Sequence, residues 1–167
     1  MIIIGIDPGT ERTGFGVLEK TSHAPSGFRH IEHGVIQTPR SKSAGERLLI
    51  LEEELTALFI KYSPFAIGVE RLFFTKNQKT VMAVSEAKGV VLLAAARQRI
   101  PIHEVTPPQV KMAIGGYGKA DKQQIQRMVK ETLQLDAIPK PDDAADALGI
   151  GIACGLLVFS VGRLQKQ

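Results

Sequence analysis

The chain opens on an isoleucine-rich apolar run, Ile2 to Ile6, closed by Asp7-Pro8-Gly9. A run of this kind stopped by a turn signal predicts a fully buried central strand, with Asp7 at its carboxyl end. Gly14–Lys20 and Arg29–Gln37 alternate apolar and polar positions more loosely on either side of the Ser/Pro/Gly-containing stretch 21–27, and predict two further strands in an antiparallel meander. From Ser43 to about Lys61 the apolar residues Leu48, Leu51, Leu55, Leu58 and Phe59 recur every three to four positions, the period of a helix with one buried face. Ser43 with Glu46 three residues on reads as its amino-terminal capping box.

After Pro64, the run Phe65–Glu70 predicts a short strand that returns behind a helix. It should therefore lie parallel to a neighbour through a right-handed crossover, and Glu70 ends it. Gln78 to Gln98 predicts a long helix whose middle, Gly89–Ala96, is apolar all round and so buried on more than one side. A symmetric dimer contact would supply the second side. Ile102–Val105 predicts a last strand, Pro107 opens a helix, Gly115-Gly116-Tyr117-Gly118 a loop, and Asp121 to about Leu133 a further helix. Pro139 and Pro141 then precede a final helix from Asp142 to about Phe159. This order implies an α/β fold, a mixed five-stranded sheet with helices on both faces, and 167 residues fit one domain spanning 1–167.

Composition narrows the setting. A single cysteine, Cys154, excludes an intrachain disulfide and points to a reducing compartment. The start has no basic leader, and the longest uncharged stretch, 147–162, is shorter than the roughly 20 apolar residues of a membrane span. A cytoplasmic location with no membrane association is expected. Net charge is +4, but residues 71–130 carry 11 basic and 3 acidic side chains while both flanking segments are net acidic. A concentrated positive block favours a polyanionic partner such as nucleic acid; a solvated helical face is the alternative.

Candidate chemistry is acidic. Asp7 and Glu70 sit at strand carboxyl ends, where open α/β sheets gather their ligands. In the stretch Asp142-Asp143-Ala144-Ala145-Asp146-Ala147-Leu148, Asp143 and Asp146 share one helix face that continues into an apolar helix, whereas Asp142 reads as an end cap. Gathering four carboxylates on apolar elements is costly without positive charge between them, and hard oxygen donors point to Mg²⁺ or Mn²⁺. His23, His30, His33 and His103 show no metal-ligand spacing, and a zinc site is not expected.

Together, Gly5-Ile6-Asp7-Pro8-Gly9-Thr10, Glu70-Arg71-Leu72-Phe73 and the Asp142–Leu148 stretch resemble the RuvC family of Holliday-junction resolvases, in order and with similar spacing over essentially the whole chain. The resemblance implies a ribonuclease H-like fold, a homodimer, and four catalytic, metal-holding carboxylates at Asp7, Glu70, Asp143 and Asp146. Two metal ions per active site are expected, because in-line phosphodiester hydrolysis grows charge on both the attacking and the leaving oxygen. The resemblance also implies an endonuclease that nicks two strands of like polarity symmetrically across a four-way DNA junction. A RuvA-like junction-binding tetramer and a RuvB-like branch-migration ATPase are the partners it implies. The family's DNA-binding aromatic and lysines match Phe73, Lys111 and Lys122; the basic segment adds Lys76 and Lys119, and a second ring, Phe74, follows the matched one.

Other readings share parts of this pattern. The opening motif also resembles the first phosphate loop of sugar-kinase, heat-shock-chaperone and actin ATPases, which need two such lobes, and 167 residues leave no room for the second. A junction- or RNA-binding protein without chemistry, and a ribonuclease H-like nuclease acting on flaps, hybrids or RNA precursors, stay open at this point.

Overall fold

The computed structural model describes residues 1–71, 78–115 and 121–164. Five strands and five helices follow one another as β1 (Ile2–Asp7), β2 (Arg12–Lys20), β3 (Phe28–Gln37), α1 (Ala44–Tyr62), β4 (Ala66–Glu70), α2 (Gln78–Arg97), β5 (Ile102–Val105), α3 (Pro107–Gly115), α4 (Lys122–Leu133) and α5 (Asp142–Leu164). The strands form one sheet in the order β3-β2-β1-β4-β5, with β1 antiparallel to β2 and parallel to β4. The mixed sheet expected from the sequence is therefore present, with β1 at its centre. Four boundaries differ by a residue or more at a strand start or at the chain's last helix: β2 starts two residues earlier, β3 one earlier, β4 one later at Ala66, and α5 runs on to Leu164. The added strand residues pair across the hairpin, Arg12 with Gln37 and Lys20 with Phe28, so tertiary pairing extends what alternation alone delimits.

Strand alternation sorts the core into two layers. Ile4, Ile6, Val17, Ile67 and Val69 pack with Leu51, Leu55, Phe59, Val91 and Ala95 of α1 and α2. On the opposite face, Ile3, Leu18 and Ala66 pack beneath α5 and its covering helices. The capping box holds: Ser43 accepts from Glu46 N–H and the Glu46 carboxylate accepts from Ser43 N–H.

The α5 face is built for close approach. A β-carbon on Gly5 would collide with the backbone of Ala147 and Gly151, one on Gly14 with the Asp143 carbonyl, one on Gly16 with Leu148, and one on Gly68 with Cys154. Helix α5 thus lies almost directly on the backbone of β1, β2 and β4. The apolar middle of α2 is buried on one side only within this chain: Ala87, Val91, Ala94 and Ala95 are inside, while Met82, Leu92 and Leu93 are exposed. His30 and His33 lie on β3 and meet there. An irregular register between Val17 and Leu18 puts Ile31 outside the ladder, so both rings fall on one face, with Nε2 and Nδ1 2.7 Å apart.

Gly5→Ala is expected to cost about 3 kcal/mol or more, because backbone rather than a flexible side chain must move. Gly45→Ala, in a helix turn with open space around it, is expected to gain about 0.5–1 kcal/mol. Paired urea denaturation of the two variants checks this contrast.

Candidate active site

Parity along the strands decides where the acids point. Ile3 and Gly5 face α5, so Asp7 does too; Ala66 and Gly68 face α5, so Glu70 does as well. The register Ile6↔Val69 sets the next residues, Asp7 and Glu70, side by side at the carboxyl ends of two parallel strands. Asp143 and Asp146 occupy the first turns of α5, which the glycine contacts press onto the same end of the sheet. The loop leaving Asp7 is tied down: Thr13 Oγ1 donates to the Gly9 carbonyl at 2.7 Å, and Thr38 Oγ1 donates to the Thr10 carbonyl while accepting from Arg47 Nε at 3.0 Å.

A cleft of about 360 Å³ opens here, lined by Asp7, Glu70 and Asp146 on the acidic side and by Lys111, Asp121, Lys122, Pro107, Val110, Ile125 and Ile150 around it. Burial, reinforced by Asp146, Glu70 and Asp143, pushes the Asp7 carboxyl from 3.8 up to about 7. Burial and Asp146 raise Glu70, which Lys88 partly offsets. Burial also raises Asp146, against the pull of Lys122. Lys122 follows the α4 cap Asp121, and its Nζ stands 3.1 Å from Asp146 and 3.8 Å from Asp142. Burial opposes its charge, yet Asp146, Asp142 and Asp143 hold the ammonium above its usual range.

The structure therefore brings Asp7, Glu70 and Asp146 into one cleft with Lys111 and Lys122. Asp143 stands at its edge, paired with Arg12 Nε at 2.8 Å. Asp142 lies in the first turn of α5, where the helix dipole favours an acid, within reach of Lys122 and Lys140. Phe73, Phe74, Lys76 and Lys119 fall outside the described residues. Sequence reading missed two residues. Arg12 is hidden in a net acidic segment, although it sits two and four positions from Gly14 and Gly16 on one strand. Lys88, a buried charge on α2, pairs with Glu104 at 2.5 Å behind Glu70.

Among the described residues, no three His, Cys, Asp or Glu side chains stand together as a formed metal cage. The donor chemistry fits a hard divalent ion nonetheless: these are carboxylates only, and their burial together, with the mutual repulsion that adds to it at Asp7, is what a cation would relieve.

Residues 3–154 match the family model described as crossover junction endodeoxyribonuclease RuvC. The chain belongs to the RuvC family of crossover junction endodeoxyribonucleases. Its members are divalent-metal-dependent nucleases. The protein of that name from Thermosipho melanesiensis is 53% identical over 150 residues, 90% of this chain and 94% of the relative. That from Caldicellulosiruptor saccharolyticus is 46% identical over 167 residues, 100% of this chain and 99% of the relative. Among solved structures, Thermus thermophilus RuvC in complex with a Holliday junction substrate superposes with a TM-score of 0.87 at 31% identity, covering 95% of this chain and 94% of that one. The yeast mitochondrial Holliday junction resolvase Ydc2, at 14% identity and a TM-score of 0.62, shares the fold. The ribonuclease H-like expectation is met.

The folded chain keeps the Asp7 proton up to pH about 7, whereas the unfolded chain releases it near 3.8. Without divalent ions, stability therefore falls as pH rises through that window. Asp7→Asn removes the penalty and should stabilise the metal-free protein on the order of 2–4 kcal/mol at pH 8, with little gain at pH 4. Denaturation in EDTA at the two pH values measures it.

Proposed function

We propose that this protein is a structure-selective endonuclease that resolves four-way DNA junctions by symmetric nicks in two strands of like polarity, one nick per subunit. The observation that carries the reading is the convergence of Asp7, Glu70 and Asp146, with Asp143 at their edge, on one cleft that Lys111 and Lys122 flank, in a chain of the RuvC family. The 167 residues act as one domain, and the function places the protein with DNA in the cytoplasm.

Asp7, Glu70, Asp143 and Asp146 are the residues that would hold Mg²⁺ or Mn²⁺, two ions per site. Asp7, on which the other three acids all act, would stand central to that set. Bound divalent ions stabilise the charge that grows on the attacking and leaving oxygens of an in-line displacement at phosphorus. To hold an ion, Asp7 would have to give up its proton and Asp146 its pairing with Lys122. Lys122 and Lys111 then neutralise backbone phosphate, the part of binding that is indifferent to sequence. Phe73 or Phe74 stacks on a base at the crossover, with Lys76 and Lys119 as further phosphate contacts.

Paired nicks require two sites on one junction. Met82, Leu92 and Leu93 leave an apolar stripe on α2 exposed, and a second copy of the chain covers it in a homodimer. A RuvA-like tetramer and a RuvB-like ATPase present and move the junction.

The test uses a labelled four-way junction and a matched linear duplex, incubated with Mg²⁺, Mn²⁺ or EDTA, with nicks mapped to the nucleotide. Symmetric, ion-dependent nicks in the junction alone are expected, and Leu93→Glu should lower pairing of the nicks as the dimer dissociates. Equal cutting of both substrates would make this a general nuclease, and tight junction binding without cutting would make it a scaffold.

A further inference from the structure

Residues Arg12, Gly14, Gly16 and Leu18 form the row of β2 that faces α5. Gly14 and Gly16 lie against Asp143 and Leu148 with no space for a β-carbon. Arg12, at the strand's start, is where that row first carries a long side chain, and it reaches across the amino end of α5 to Asp143. The two side chains are 44% and 32% exposed, and among the described residues Arg12 makes no other ion pair. Lys111 and Lys122 approach the carboxylates from α3 and α4, and Arg12 approaches from β2. A DNA strand laid over the acids would meet positive charge on both flanks.

We propose that Arg12 is a substrate-binding residue of this site, its guanidinium exchanging between the Asp143 carboxylate and the DNA phosphate beside the cut. The inference rests on reading the cleft as a metal-dependent junction nuclease. A half-exposed ion pair is weak, so the exchange is easy in either direction. The planar guanidinium fork matches a phosphate as well as a carboxylate. Engaging Asp143 with a divalent ion releases Arg12 to the phosphate, and engaging the phosphate releases Asp143 to the ion. Each ligand therefore favours the other through the one pair they both disrupt.

Two measurements with Arg12→Gln test this. In the DNA-free protein, Mn²⁺ binding followed by the free-ion electron paramagnetic resonance signal should tighten roughly two- to fivefold, the span of an exposed ion pair. Junction binding in Ca²⁺, with nicking monitored in the same samples, should weaken and lose about one phosphate contact per subunit from its salt dependence. The loss should be smaller in EDTA, where Asp143 still holds Arg12 in the wild type, and Arg12→Lys should recover part of the junction affinity. Unchanged or weaker Mn²⁺ binding, or an equal loss of junction affinity with and without Ca²⁺, overturns the proposal. Failure of the wild-type protein itself to prefer a junction over duplex instead overturns the nuclease reading, and the proposal with it.

Discussion

The contact between α5 and the sheet is the constraint on which the rest depends. Gly5, Gly14, Gly16 and Gly68 remove side chains where the helix crosses, and on the helix Gly151 removes one while Ala147 keeps only a methyl. Backbone meets backbone, so the position of α5 is set to within the tolerance of hard contacts rather than adjustable side chains. Its first two turns then deliver Asp143 and Asp146 to the carboxyl ends of β1 and β4, residues 73 or more positions distant in sequence from Glu70. Precise placement of dissimilar segments is what a multi-carboxylate site needs.

Packing this close has an electrostatic consequence. The same contact that positions the acids also dries them, and burial is the largest cause of the raised Asp7, Glu70 and Asp146. The repulsion is held in check by basic side chains from three directions: Lys122 on Asp146, Arg12 on Asp143, and Lys88 behind Glu70. These cations differ in their surroundings. Lys88 is buried and locked to Glu104, a fixed charge, while Lys122 and Arg12 are half-exposed and free to trade partners. The site is thus poised between internal pairing and external ligands, a stability cost accepted where function requires it.

Most of the fold was legible because its period signals are strong. The Ile2–Asp7 run, the α1 periodicity and the Ser43-Glu46 box each specify their element locally, and the two strand-end acids follow from where those strands stop. The Asp143/Asp146 pair was legible because an apolar helix continues from it. What escaped sequence reading depends on parity and register across the sheet. Whether Arg12 faces α5 or α1 is decided by the pairing of β2 with β1 and by the glycines after it. Likewise, His30 and His33 meet only because an irregular register turns both to one face. The segment charge count, which averages Arg12 with nearby acids, has no access to such facts.

In the proposed reading, these carboxylates form a site for divalent cations, completed at the expense of internal ion pairs. Anomalous scattering from crystals of the protein soaked in Mn²⁺ addresses it most directly. Mn²⁺ peaks are expected among Asp7, Glu70, Asp143 and Asp146, with Lys122 withdrawn from Asp146. Mn²⁺ bound elsewhere, or none at the cleft with Lys122 still on Asp146 at saturating ion, would contradict it.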